Sequence, residues 1–265
     1  YDLNRFQRIY VTGCGKAAAR MALAMERLLG DRITAGIVVV KYGHGMKLGV
    51  TEVIEAGHPV PDDAGLNGAR RIAELLQSCD KNDLVFFLLS GGGSALLPYP
   101  AEGLSLADKQ RTTEALLKSG ASILEINAVR KHLSRLKGGQ LAGLAAPATL
   151  ISLVLSDVIG DSLETIASGP TVPDSSTYSD CLHIIRHYQL GPKIPSAVLE
   201  YLERGARGES AETPQHLSGI FERVQNVIIG NIRTALSSAL RRADELGYHT
   251  TIFSEAIQGE SRAVA

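Results

Sequence analysis

Apolar positions along the chain follow two rhythms. Short, nearly unbroken runs predict buried strands: "RIYVTG" (8–13), "AGIVVV" (35–40), "TEVIEAG" (51–57), "DLVFFLLSG" (83–91), "ATLISLVLSD" (148–157) and "VQNVIIG" (224–230), with a further strand in "YHTTIFS" (248–254). Between them, apolar residues recur at three- and four-residue spacing and predict helices near 16–29, 65–78, 107–118, 125–145, 178–187 and 232–246. Continuous apolar strands alternating with amphipathic helices specify an α/β fold. The expected form is a doubly wound, mostly parallel sheet with helices on both faces, a Rossmann-like three-layer α/β/α arrangement. No internal repeat is visible.

In such sheets ligands bind at the carboxyl ends of the strands, and the chemically versatile residues collect there. "GCGK" follows the first strand, "KYGHG" the second, "AGHPVPD" the third, "SGGGS" the fourth, "SDVIGD" the fifth and "GNIRT" the sixth. Strand-to-helix turns use Gly, Asn and Asp in any case, so no single loop is decisive. Six on one edge predict an enzyme site.

"VTGCGKA" fits G-x-G-x-x-A through Gly13, Gly15 and Ala18, but a dinucleotide site also needs an acidic residue after the second strand, where Lys41 stands. A tight helix–strand packing turn explains these glycines better. Lys41 follows three valines to the sheet edge, where it is either a snorkelling surface residue or a charge aimed at an anionic ligand, and His44 with the flanking Gly43 and Gly45 favours the second. Ser90, Gly91, Gly92, Gly93 and Ser94 open a helix with bare backbone, the makings of an anion nest. Their spacing is neither that of a Walker A loop nor that of a serine-hydrolase elbow, because residue 96 is leucine.

Along "INAVRKHLSRLKGGQLA" (126–142), Ile126, Val129, Leu133 and Leu136 share a core face. Asn127, Arg130, Lys131 and Ser134 share the opposite face, with Lys137 at its edge and no carboxylate at i±4. A solvated stripe is the ordinary fate of such charges. Gly138 and Gly139 in mid-helix, costing about 1 kcal/mol each relative to alanine, instead predict the close approach of a ligand or of backbone. His132, between the two faces, is expected to be structural. Asp157 just after the fifth strand and Asp161 four residues on are candidate Mg²⁺ ligands, although Asp161 is equally suited to capping a helix. Asn231 at the sixth turn and Glu260 near the end of the sequence are candidate ligand-binding residues.

Composition narrows the partners. A formal net charge of -1 gives no general attraction to nucleic acid or to a membrane surface. No apolar run approaches the roughly 20 residues that span a bilayer. Three widely spaced cysteines predict free thiols in a reducing, cytoplasmic setting.

The ordered segments "GCGKAA", "VVVKYGH", "EAGHPVPD", "LLSGGGSALL", "NAVRKHLSRLKGGQLA", "LSDVIGD", "IASGPTVPD" and "VIIGN" resemble the type-2 glycerate kinases, a family also known as tartrate-pathway hydroxypyruvate reductases. The resemblance covers practically the whole chain. It implies transfer of the ATP γ-phosphoryl group to D-glycerate with Mg²⁺, giving 2-phosphoglycerate. It also implies a catalytic role for Lys41 in the K-Y-G-H motif, and a second basic catalytic residue in a C-terminal domain not represented here. Within this chain Lys41 and Lys137 are the candidate catalytic cations. Residues 1–220 are then the N-terminal α/β domain, and 221–265 a final strand–helix–strand unit leading towards the C-terminal one. A homodimer is compatible with this reading. Two alternatives compete with the kinase. One is an NAD(P)H-dependent hydroxypyruvate reductase with Gly13 and Gly15 at the pyrophosphate and Lys41 at a 2′-phosphate, and the other a non-catalytic anion-binding domain.

Overall fold

Six parallel strands form one sheet in the order β3-β2-β1-β4-β5-β6 in a computed structural model that describes residues 2–257 and Arg262. The strands are β1 (Arg8–Cys14), β2 (Ile33–Lys41), β3 (Thr51–Ala56), β4 (Asp83–Ser90), β5 (Thr149–Leu155) and β6 (Val224–Gly230). The helices are α1 (Ala18–Leu29), α2 (Asp63–Gln77), α3 (Gly93–Leu96), α4 (Leu106–Ser119), α5 (Ile123–His132), α6 (Gln140–Ala145), α7 (Tyr178–His187), α8 (Ser196–Ala206) and α9 (Ile232–Glu245).

The period-two geometry of strands explains why their apolar runs are unbroken. Val38 and Val40 pack with α1 on one face of the sheet, while Val39 packs with α2 on the other. Every residue of β4 is buried. A third apolar cluster, outside the sheet layers, joins α4, α5, α7 and α8 through Leu116, Val129, Leu133, Ile185, Val198 and Leu202. Local signals set where helices begin: Ser105 with Asp108, Ser122 with Glu125 and Thr177 with Asp180 form capping boxes at α4, α5 and α7. The three cysteines are free and buried. No described helix is long and apolar enough to cross a membrane.

Three expectations are corrected. The helix expected over 125–145 is two helices: α5 ends at His132, residues 133–135 pair with the backbone of 99–101, and Gly138 (φ 56°) and Gly139 (φ 78°) adopt left-handed conformations before α6. Residues 248–254 form no strand. A helix that the apolar pattern did not disclose, α8, packs against α7.

From β1 the chain winds outward through β2 and β3, then returns to β4 and proceeds the other way. The crevice between the carboxyl ends of β1 and β4 is therefore the topological switch point, where open α/β sheets bind ligands. The two strands touch closely there. A Cβ on Gly13 would stand 2.2 Å from the Leu88 carbonyl oxygen. Gly13→Ala is thus expected to lower unfolding free energy by about 1–3 kcal/mol, read from urea denaturation. An unchanged midpoint would mean that the strands can part at no cost.

Candidate active site

Each glycine of the loop after β4 answers to a different neighbour. A Cβ on Gly91 would lie 2.2 Å from Asp157 Oδ2. Gly92 has φ 91°, and a Cβ there would meet the His58 imidazole at 3.0 Å and Lys16 Cε at 3.5 Å. At Gly93 it would meet Cys14 Sγ at 3.0 Å and Ala167 Cβ at 3.1 Å. The loop is bare so that side chains from the other strand ends can close over it. Gly93 and Ser94 precede the first helical hydrogen bond of α3, from Ala95 N–H to the Gly92 carbonyl. Ser90 is a brace: its Oγ accepts from Ala17 N–H (3.0 Å), and Lys16 N–H donates to the Gly91 carbonyl (2.9 Å).

Cations gather on the β1–β2 side. Lys41 ends β2, half-buried behind its valines. The loop after it is fixed by Glu55, whose Oε1 accepts from Gly43 N–H (2.7 Å) and Gly45 N–H (3.0 Å). His44 Nδ1 lies 3.0 Å from the Lys16 carbonyl oxygen. Burial, together with the ammoniums of Lys16 and Lys41, holds His58 below the usual histidine range, against the opposing pull of Asp157. Lys16, His58 and Asp157 thus close over one glycine loop, with Lys41 and His44 near His58. Lys16 and His58 are additions to the residues singled out by sequence. Their signal was position alone, each in a loop directly after a strand.

On the β5–β6 side Asp157 is exposed and makes no ion pair among the described residues. Asp161, at φ 53°, accepts from Asn231 Nδ2 (2.6 Å), and Asn231 Oδ1 caps α9 through Thr234 N–H (2.9 Å). These two residues bond to each other, and Glu260 lies outside the described residues. No three His, Cys, Asp or Glu side chains among the described residues are grouped to cage a metal ion. A lone unpaired carboxylate still suits Mg²⁺, which takes one or two carboxylates and completes its shell with water and substrate phosphates.

Of the expected polar stripe, Asn127 and Lys131 on α5 and Ser134 and Lys137 beyond its end are buried and Arg130 is half-buried, and they have different fates. Lys131 Nζ stands 3.0 Å from Asp174 Oδ1. Burial pushes the Asp174 carboxyl up, but donation from Ser176 and Lys131 brings it below its usual range. The missing carboxylate for Lys131 thus comes from 43 residues away rather than from the helix. His132 is structural: Nε2 meets Glu212 at 3.0 Å and Nδ1 the Ala128 carbonyl at 2.9 Å. Lys137, 3% exposed, donates to the Leu97 carbonyl (3.3 Å), and burial pushes its pKa down to about 8. Gly138 and Gly139 admit backbone: their N–H groups donate to the carbonyls of Ser168 (2.9 Å) and Gly169 (2.7 Å). Ala167 (φ 51°) and Ser168 (φ 61°) are both left-handed, a strain typical of functional segments. Ser168 Oγ donates to Asn127 Oδ1 (2.9 Å) and lies 3.1 Å from Ser94 Oγ, linking α5 to the glycine loop.

Residues 1–203 match the family described as "Domain of unknown function (DUF4147)". The chain is 45% identical to a glycerate 2-kinase of Pyrococcus horikoshii over 255 residues, 96% of this chain and 57% of that one. It is 43% identical to a putative hydroxypyruvate reductase of Agrobacterium vitis over 258 residues, 97% of this chain and 64% of that one. The crystal structure of a glycerate kinase from Thermotoga maritima superposes with a TM-score of 0.83 at 45% identity, covering 94% of this chain and 57% of that one. The chain spans between half and two thirds of the length of these relatives. It belongs to the DUF4147 family.

Proposed function

We propose that the complete enzyme carrying this chain transfers the γ-phosphoryl group of ATP to D-glycerate, giving 2-phosphoglycerate. The observation that carries this reading is the meeting of Lys16 and Asp157 over the glycine loop at the switch point, with Lys41 near His58. Phosphoryl transfer asks for positioning and for positive charge around the transferred group rather than for a covalent intermediate. A bond forms from the acceptor oxygen to phosphorus as its hydroxyl proton is released to water, the bond to the β–γ bridging oxygen breaks, and ADP departs with that electron pair. In this reading Lys41 meets the charge that develops on the transferred group. Gly91, Gly92, Gly93 and Ser94 offer backbone to phosphate oxygens, and Ser90 holds that loop against β1. Asp157, with Asp161 behind it, would hold Mg²⁺, which supplies neutralisation of phosphate charge when bound. The α/β domain expected over 1–220 takes in β6 as well, which completes its sheet, and in this reading the residues after β6 lead to the remainder of a two-part enzyme.

The reductase reading has less support, although one relative carries that name. A Cβ on Gly15 would fall 2.2 Å from Ser90 Oγ, so the turn that a pyrophosphate would need is filled by the β4 loop. Release of ADP from ATP with D-glycerate and Mg²⁺ tests the kinase. Oxidation of NADPH by hydroxypyruvate, with ATP untouched, would replace it. Asp157→Asn is expected to raise the Mg²⁺ concentration for half-maximal rate about tenfold or more. An unchanged Mg²⁺ titration removes Asp157 from the metal.

A further inference from the structure

The fold buries or half-buries four cations near α5 and pairs only one of them with a carboxylate. Lys131 has Asp174. Arg130 is half-buried, and its guanidinium has no carboxylate or hydrogen-bond partner among the described residues; burial alone lowers its pKa. Lys137 spends its ammonium on one backbone carbonyl, that of Leu97. Lys109, on α4, does the same with the Leu133 carbonyl at 2.7 Å and is 8% exposed. The three lie close enough for each to feel another's charge: Lys137 and Arg130 oppose protonation of Lys109, and Arg130 opposes that of Lys137. Asn127 Nδ2, on the same helix as Arg130, is buried with no partner among the described residues. Asn127 and Arg130 stand three residues apart on α5, hence one above the other on the same face.

Among the described residues this cluster of donors has two backbone carbonyls and no carboxylate to accept from it. Two buried amines and a half-buried guanidinium without a counter-ion cost folding free energy, and an orphan amide adds to that cost. The ligand that repays such a site carries acceptor oxygens and negative charge. A guanidinium binds a planar carboxylate through two parallel hydrogen bonds. Among the described residues no carboxylate pairs with Arg130, Lys109 or Lys137; Asp174 and Glu164 face Lys131 instead.

We propose that Arg130 and Asn127 bind the carboxylate of the phosphoryl acceptor, a small 2-hydroxy acid, with Lys109 and Lys137 as neighbouring positioning residues. The proposal rests on the kinase reading and sharpens it. The carboxylate lies on the α5 side of the glycine loop, and the phosphoryl donor on the Lys41 side. Ser94 and Ser168, strung between the loop and Asn127, mark the boundary between the two. Lys109 was not distinguishable by sequence from an exposed helical lysine.

The test uses the complete enzyme and two readouts. In steady-state kinetics Arg130→Gln is expected to raise KM for D-glycerate about 10²-fold and to leave KM for ATP within about twofold, with Arg130→Lys intermediate. Lys109→Met is expected to raise KM for D-glycerate while leaving the melting temperature equal or higher, since it removes an uncompensated buried charge. A residue acting only in folding would lower that temperature. Calorimetric binding of D-glycerate, with carboxylate-free glycerol as comparison, needs no turnover. Glycerate heat lost in Arg130→Gln supports the site. Unaltered glycerate binding, or a rise confined to KM for ATP, overturns it and gives the cluster to a phosphate or to packing. Absence of ATP–glycerate turnover in the unmodified enzyme would instead sink the kinase reading, with calorimetry still deciding the carboxylate site.

Discussion

Replacing Lys41 by alanine is expected to lower kcat of the complete enzyme by about 10²–10³-fold or more, the loss that accompanies removal of one preorganised group facing transition-state charge. The position explains why the loss should be confined to turnover. Lys41 is the last residue of β2; the valines before it carry the packing, and its ammonium has no ion pair among the described residues. Stability should therefore change by no more than about 0.5 kcal/mol. The measurements are kcat with saturating ATP and D-glycerate, and thermal unfolding of the same preparation. Near-normal turnover would remove Lys41 from the chemistry. A collapsed melting temperature would turn the result into one about folding.

Lys131→Met is expected to have the largest effect on stability. Asp174 has a fully buried side chain and accepts from Lys131 Nζ (3.0 Å), Ser176 N–H (3.0 Å), Ser176 Oγ (2.7 Å) and Thr213 Oγ (2.9 Å). Removing the cation leaves a buried carboxylate with its neutral donors only. Breaking such a pair costs about 3–5 kcal/mol, and the three remaining donors favour the lower end. Urea unfolding measures it. If Lys131→Met keeps its stability but weakens ATP or glycerate binding, Lys131 belongs with the ligand contacts. Lys131 and Arg130 are adjacent in sequence, yet these outcomes set them on opposite sides of the boundary between architecture and site.

That boundary marks what could be read beforehand. Strand residues report their own burial, so the parallel sheet, its six carboxyl-end loops and the glycine turn after β4 followed from pattern alone. Partners across the fold leave no such trace. Nothing beside Lys131 announces Asp174, and nothing beside Lys109 announces that α5 will cover it. Gly138 and Gly139 announced the close approach of a ligand or of backbone but not which; it is the 168–169 backbone, docked onto a left-handed turn. Ala167 and Ser168 are left-handed without being glycine, so their strain has no signature in residue type. The strand expected over 248–254 failed because alternation of apolar residues cannot report whether a neighbouring strand is there to pair with.

The switch-point crevice also has a history in time. Arg8 at the start of β1 bonds to Asp83 at the start of β4 across 75 residues, whereas Ile9 bonds to Thr34 of β2 across only 25. Long closures are entropically dearer and form later than short ones. The β1–β2–β3 half, with Lys16 and Lys41 aboard, can therefore organise while the glycine loop is still a distant piece of coil. Joining β4 to β1 completes the sheet's middle and creates the crevice in the same event, so a folding chain acquires its site only when its central long-range pairing closes.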